Sequence, residues 1–189
     1  MIKWLPSAMG IDAADSSLIP FYQEVKKQNM IILTHLGEEK AVETEEDQKY
    51  GNPLHFKLPM DLGVPVIMAH CASLGENQDL DDPKKTMRSA FSLFTRMMNN
   101  PKYDKLLFGD ISAITQFNRV GPPLAKILAE KSWHKRLIQG SDYPLPAVNA
   151  LIRMKPLLRY GFITQADAKV AKGVYKNNPL LFDLSLIHI

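Results

Sequence analysis

A chain of 189 residues can bury one sizeable core and is normally one domain. With 46% hydrophobic and 23% charged residues it has an ordinary globular composition, and its net charge of +3 is spread too evenly to form the basic stripe that tracks nucleic acid. Cys71, the single cysteine, excludes an intramolecular disulfide and fits a reducing compartment. No apolar stretch is long enough to span a bilayer, and Met1-Ile2-Lys3-Trp4 lacks a signal-peptide pattern, so a cytoplasmic location without a membrane partner is expected.

In chain order, Met1 to Pro6 reads as a short strand that proline stops. Asp12 to Ser17 is turn-like and leads into a helix from about Leu18 to Gln28, with Phe21, Tyr22 and Val25 at helical spacing. Met30 to His35 is a strand, 37–52 an acidic loop, and Pro53 opens a helix that reaches Leu62 before Gly63 ends it. Val64 to His70 is the next strand, followed by a polar loop over 73–82. Pro83 to Asn99 has the spacing of one long amphipathic helix, with Met87, Phe91, Phe94 and Met98 as its apolar stripe. Leu106 to Ile111 is a strand, 122–131 a helix, and Arg136 to Asp142 the last strand. Helices over about 147–160 and 165–173 and a turn near Pro179 complete the chain.

Strand and helix alternate, with links too long for hairpins, which calls for a parallel sheet with right-handed crossovers. The longer polar loops leave the strand ends, so function belongs at the C-terminal ends of the strands. Three of those ends carry a ligand-type residue: His35 after Ile31-Ile32-Leu33-Thr34, His70 after Val66-Ile67-Met68-Ala69, and Asp142 after Ile138-Gln139-Gly140-Ser141. Strand periodicity puts His35 on a face with Ile31 and Leu33, His70 with Val66 and Met68, and Asp142 with Arg136, Ile138 and Gly140. If those faces line one interior, two imidazoles and a carboxylate meet, a donor set that suits zinc or manganese. A carboxylate beside such an ion can serve as general base.

Each residue also has a plainer reading. A lone strand-end histidine is commonly a satisfied core or loop residue, and Asp142 in Ser141-Asp142-Tyr143-Pro144 could simply cap the next helix. Lys3 reads as a surface lysine near the end of the first strand. Glu38 and Glu39 read as loop charges, His55 and His134 as surface residues, and His188 as part of a tail. Cys71 beside His70 and Ser141 beside Asp142 diverge on a strand and make no nucleophile pair. No Gly-x-Ser-x-Gly elbow, P-loop or Gly-x-Gly-x-x-Gly fingerprint is present.

The motifs Ile2-Lys3-Trp4-Leu5-Pro6, Leu33-Thr34-His35, Met68-Ala69-His70, Phe108-Gly109-Asp110-Ile111-Ser112 and Gly140-Ser141-Asp142-Tyr143-Pro144 together resemble the amidohydrolase superfamily, in its branch of decarboxylases and metal-dependent hydrolases. The resemblance implies an α/β fold that is a partial (β/α)8 TIM barrel, strands four to eight with their helices, strands one to three missing. By resemblance His35 is the fifth-strand metal ligand, and His70 binds a second metal or polarises substrate. Asp142 binds metal and activates water, and Lys3 stands where some relatives carry a carboxylated, metal-bridging lysine. The family's first-strand His-x-His pair has no counterpart here, and a complete barrel runs to about 250 residues. Residues 1–183 are therefore expected to be the C-terminal part of a barrel, with 184–189 a non-native tail. The parent enzyme is expected to use a divalent metal, zinc first and manganese second, to turn water against an amide, ester or lactone carbonyl of a small-molecule substrate. The short chain itself is expected to be inactive. Decarboxylation by a relative of the same kind and a non-catalytic α/β binding domain are the alternatives, and assembly as a homo-oligomer stays open.

Overall fold

The computed structural model describes residues 1–39, 45–145, 148 and 151–187. They form two compact units: Met1–Asp110 with Arg136–Ile138, and Ile111–Lys135 with Gln139–Ile189. The protein is α/β, as the alternation of strands and helices requires.

The first unit is built on a five-stranded parallel sheet. Its strands are β1 (Ile2–Trp4), β2 (Ile32–His35), β3 (Val66–Ala69), β6 (Leu107–Asp110) and β7 (Leu137–Ile138), side by side in that sequential order. Among the described residues no strand is inserted out of turn, so this part of the sheet has no topological switch point. The strands are short apolar runs, the composition of parallel strands covered on their faces. Alternation combined with the pairing register sorts their side chains. Ile32, Thr34, Val66, Met68 and Leu107 share one face and are fully buried. Leu33, His35, Ile67, Phe108 and Asp110 share the other, where Leu33, His35 and Phe108 are only half-buried.

Trp4 anchors the covered face. Its ring lies 6.1 Å from that of Tyr22 on α2 (Ile19–Lys27), the helix after the short α1 (Pro6–Met9), and 5.6 Å from that of Phe56. Tyr22 is locked there by its hydroxyl, which donates to Ala13 O at 2.8 Å. The helix read over 53–62 is a 3-10 turn, Pro53–Phe56, running into α3 (Lys57–Asp61). Asn52 caps it by accepting from Leu54 N.

The long helix read over 83–99 is half as long. Glu76–Gln78 (β4) and Met87–Ser89 (β5) form an antiparallel hairpin, and α4 spans only Ala90–Met98. Met87, assigned to the apolar stripe, is 55% exposed on the hairpin. Local chemistry overrides the periodicity. Asp82 turns the chain by accepting from Lys84 N and Thr86 Oγ1, Lys85 takes a left-handed φ of 48°, and Ser89 caps α4 by accepting from Ser92 N.

Arg96 on α4 pins this hairpin. Its guanidinium donates to both Asp79 oxygens at 2.6 and 2.7 Å and to Asp81 at 2.9 Å, and Lys57 on α3 reaches Asp81 at 2.6 Å. The Arg96 hydrogen bonds hold the Asp79 carboxyl down at about 2, from 3.8. A depressed carboxyl contributes stability that is complete above its unfolded pKa and lost as pH falls through the folded one. Arg96→Met is therefore expected to lower stability above about pH 4 by about 1 kcal/mol, the modest figure reflecting the exposure of Arg96. The difference should vanish below about pH 2. Urea unfolding at the two pH values checks this; an equal loss at both would mean Arg96 acts by packing alone.

The second unit holds α5 (Pro122–Ala129), α6 (Met154–Arg159), α7 (Gln165–Asn177) and α8 (Pro179–Ile187). Trp133 is fully buried, and the Lys126 ammonium lies 5.4 Å from its ring centre. Thr164 and Asp167 close a capping box on α7. The turn read near Pro179 is helical: α8 buries Phe182, whose ring lies 5.0 Å from Tyr175. The tail residue His188 lies outside the described residues, as do 147, 149 and 150 of the helix read over 147–160, whose later part contains the helix Met154–Arg159. No helix among the described residues is long and apolar enough to cross a membrane.

Candidate functional site

β2 and β3 are neighbours in the sheet, with His35 level with Ala69. By strand phase alone, His70 would follow Met68 onto the covered face, away from His35. It does not, because the backbone leaves the strand at that residue. His70, Cys71 and Ala72 take φ values of 53°, 52° and 47°, a left-handed turn that non-glycine residues seldom adopt. The turn brings the His70 imidazole against that of His35, ring centres 5.2 Å apart and edge to face at 69°. Strain of this kind persists only where surrounding structure enforces it, and it collects at functional sites.

Asp110, the last residue of β6, does the enforcing. One of its oxygens accepts the backbone N–H of His70 at 3.2 Å and lies 3.7 Å from His70 Nδ1. Cys71 donates its thiol to the Asp110 carbonyl at 3.4 Å, and burial pushes that thiol well above its usual range. It packs tightly: a Cβ on Gly109 would come within 2.8 Å of its sulfur.

His35 has an acid of its own. Gly37, with φ at 83°, folds the chain back so that Glu39 Oε2 lies 3.5 Å from His35 Nε2, and the Glu38 carbonyl lies 3.3 Å from the same nitrogen. Gln48 holds this bend with two bonds to the Glu39 backbone, at 2.8 and 3.0 Å. The side chains of His35, Glu39, His70 and Asp110 are 12%, 5%, 7% and 9% exposed. The result is two imidazoles in contact, each beside a largely buried carboxylate, at the C-terminal ends of three successive sheet strands.

Lys3 is exposed on β1, level with Leu33 and so one pleat short of His35. Asp142 belongs to the second unit, half-buried, with a left-handed φ of 48°. The last strand stops at Ile138, so the face read through Gly140 and Asp142 is not strand geometry. Backbone bonding there is a tight turn, Leu145 N donating to Asp142 O at 3.0 Å.

Two participants escaped the sequence reading. Asp110 obeys the same rule that selects the histidines, a polar residue ending an apolar strand. Glu39 gave no signal beyond its four-residue distance from His35. His55, read as a surface residue, is instead half-buried with Nδ1 2.8 Å from Asp12 Oδ1.

Two imidazoles and two carboxylates, largely buried, are donors of the type a zinc or manganese ion takes, so the chemistry of the set fits a divalent cation. They stand as two acid–imidazole pairs. Among the described residues no three His, Cys, Asp or Glu side chains group closely enough to hold an ion. The chain matches no family model, no curated protein and no solved structure.

Proposed function

We propose that the chain carries part of a metal-dependent hydrolase site acting on an amide, ester or lactone carbonyl. The observation that carries this reading is the contact between the largely buried His35 and His70 imidazoles at the ends of adjacent parallel strands, each imidazole beside a carboxylate. Strand order without a switch point is what a sector of a (β/α)8 barrel has, and supports the same reading.

In this reading His35 is a cation ligand, and His70 binds a second cation or, with one cation, polarises the substrate. Asp142 of the second unit is proposed as a ligand that activates water, and Lys3 is an additional ligand only if carboxylated. When bound, the ion supplies Lewis acidity and brings a water molecule's pKa towards neutrality. The chain's own groups do the rest. Asp142 accepts the proton of the attacking water on a carboxylate oxygen. His70 turns its imidazole to the substrate carbonyl oxygen, where negative charge develops. Glu39 and Asp110 fix the orientation of the two rings, the task outer carboxylates perform around ligating histidines. Decarboxylation of a carboxylated substrate needs the same groups and is the in-class alternative. A non-catalytic binding domain is the second reading, favoured by the carboxylate already beside each imidazole.

Isothermal titration of the full chain with zinc and with manganese tests the proposal. Stoichiometric binding is expected, lost in His35→Ala and in Asp142→Ala. Wild-type protein that takes up neither ion would sink the hydrolase reading and leave the binding domain in its place.

A further inference from the structure

Three loops of the first unit, those following β1, β2 and β3, enclose a polar cleft of about 700 Å³. That volume lies within the range of about 300–1,000 Å³ typical of small-molecule sites. A smaller adjoining cleft shares Gln48 and Glu76 with it. Part of the polar lining is committed to the fold. Gln48 spends both ends of its amide on the Glu39 backbone, and Asn52 donates to Gln78 O at 2.8 Å and accepts from Leu54 N at 3.0 Å.

The carboxylates of the lining keep spare acceptors. Glu76, exposed on β4, makes no side-chain hydrogen bond or ion pair with any described residue. Asp12, in the loop after β1, uses Oδ1 to accept Ala14 N at 2.8 Å, and the same oxygen lies 2.8 Å from His55 Nδ1. Its Oδ2 has no hydrogen-bond partner among the described residues. Glu38 adds a third carboxylate at the adjoining cleft. Against these acids the described lining sets one ammonium, that of Lys49, which lies 4.9 Å from the Tyr50 ring centre and pairs with neither Asp12 nor Glu76. Burial holds His55 below the usual imidazole range despite Asp12, so its ring is chiefly neutral at pH 7 and offsets neither carboxylate.

A cleft lined mainly by one sign of charge concentrates solutes of the opposite sign. Leu80 and Met87, 40% and 55% exposed, add hydrocarbon wall to the same cleft. An ammonium already stands over the Tyr50 ring, so the counter-charge for a bound cation comes from carboxylates. We propose that this cleft is a binding site for a small organic cation, an amine or guanidine carrying a hydrocarbon body, with Asp12 and Glu76 as its counter-charges and Leu80 and Met87 against its body. The site is separate from the histidine pair and does not rest on the metal reading. Its link to that pair is Gln48, which lines the cleft and holds the Glu39 backbone.

Saturation-transfer NMR on the full chain tests this with butylamine, benzylamine and agmatine as probes. Butanol and butyrate serve as controls, because they share the hydrocarbon of butylamine and differ from it in the head group alone. At least one amine is expected to bind at pH 7 and low salt, with or without EDTA, and neither control is. Glu76→Gln should weaken binding about fivefold, the worth of one exposed ion pair at the upper end of its range. Glu76→Lys reverses the charge at an exposed position whose side chain holds no described residue in place, and should abolish binding with the fold intact. Binding by no amine, binding of butanol or butyrate as tight as that of butylamine, or binding undiminished in Glu76→Lys would overturn the proposal. If metal titration fails and an amine still binds, only the hydrolase reading is lost.

Discussion

Gly37→Ala is expected to destabilise the first unit by about 3 kcal/mol or more and to scatter the candidate site. At φ 83° an alanine pays the left-handed penalty of about 1–2 kcal/mol. Its Cβ would also overlap the Leu74 carbonyl oxygen and come within 3.3 Å of Ala90 Cβ. The backbone has little room to retreat, because Gly37 N donates to Gly51 O at 2.8 Å and Glu38 N to Leu74 O at 2.9 Å. Overpacking at a rigid crossing adds about 1–3 kcal/mol to the conformational strain. Gly10→Ala is the control: φ is also positive, at 62°, but among the described residues the new methyl meets only one Asp47 carboxylate oxygen, at 3.3 Å. It should cost about 1–2 kcal/mol. Urea midpoints of the two variants decide the matter; equal losses would mean the loop crossing is softer than its hydrogen bonds imply.

The second large effect is expected at Asp110. Asp110→Ala removes the acceptor of the buried His70 N–H and should cost about 1–3 kcal/mol of stability. It also removes the carboxylate beside the imidazole, and on the metal reading should weaken zinc binding about 10–100-fold. Asp110→Asn separates the two roles. Its amide oxygen can still accept the His70 N–H, so most of the stability should return, while the charge beside Nδ1 does not. Denaturation and zinc titration of both variants give the comparison. Zinc affinity unchanged in Asp110→Asn would confine Asp110 to holding the backbone turn.

These expectations mark where the sequence was legible. Buried parallel strands are continuous apolar runs, so β2, β3 and β6 stood out, and the polar residue ending each one marked the sheet edge where chemistry can collect. The stripe through Met87 misled because helical spacing continued past the true start of α4. The Asp82 turn and the Arg96 clamp set that start, and Arg96 acts on Asp79 from seventeen residues away. His70 gave the right residue with the wrong geometry. Alternation sends it to the covered face, and only the turn held by Asp110, forty residues on, brings it to His35.

The sequence by itself determined the α/β class, the strands of the parallel sheet and the pair of strand-end histidines, because apolar runs and their punctuation are local properties of the chain. The tertiary structure decided that those histidines touch and that Glu39 and Asp110 stand beside them. Each of these depends on groups brought together across strands or loop crossings, and neither hydrophobic period nor residue spacing encodes which backbone will turn left-handed to let them meet.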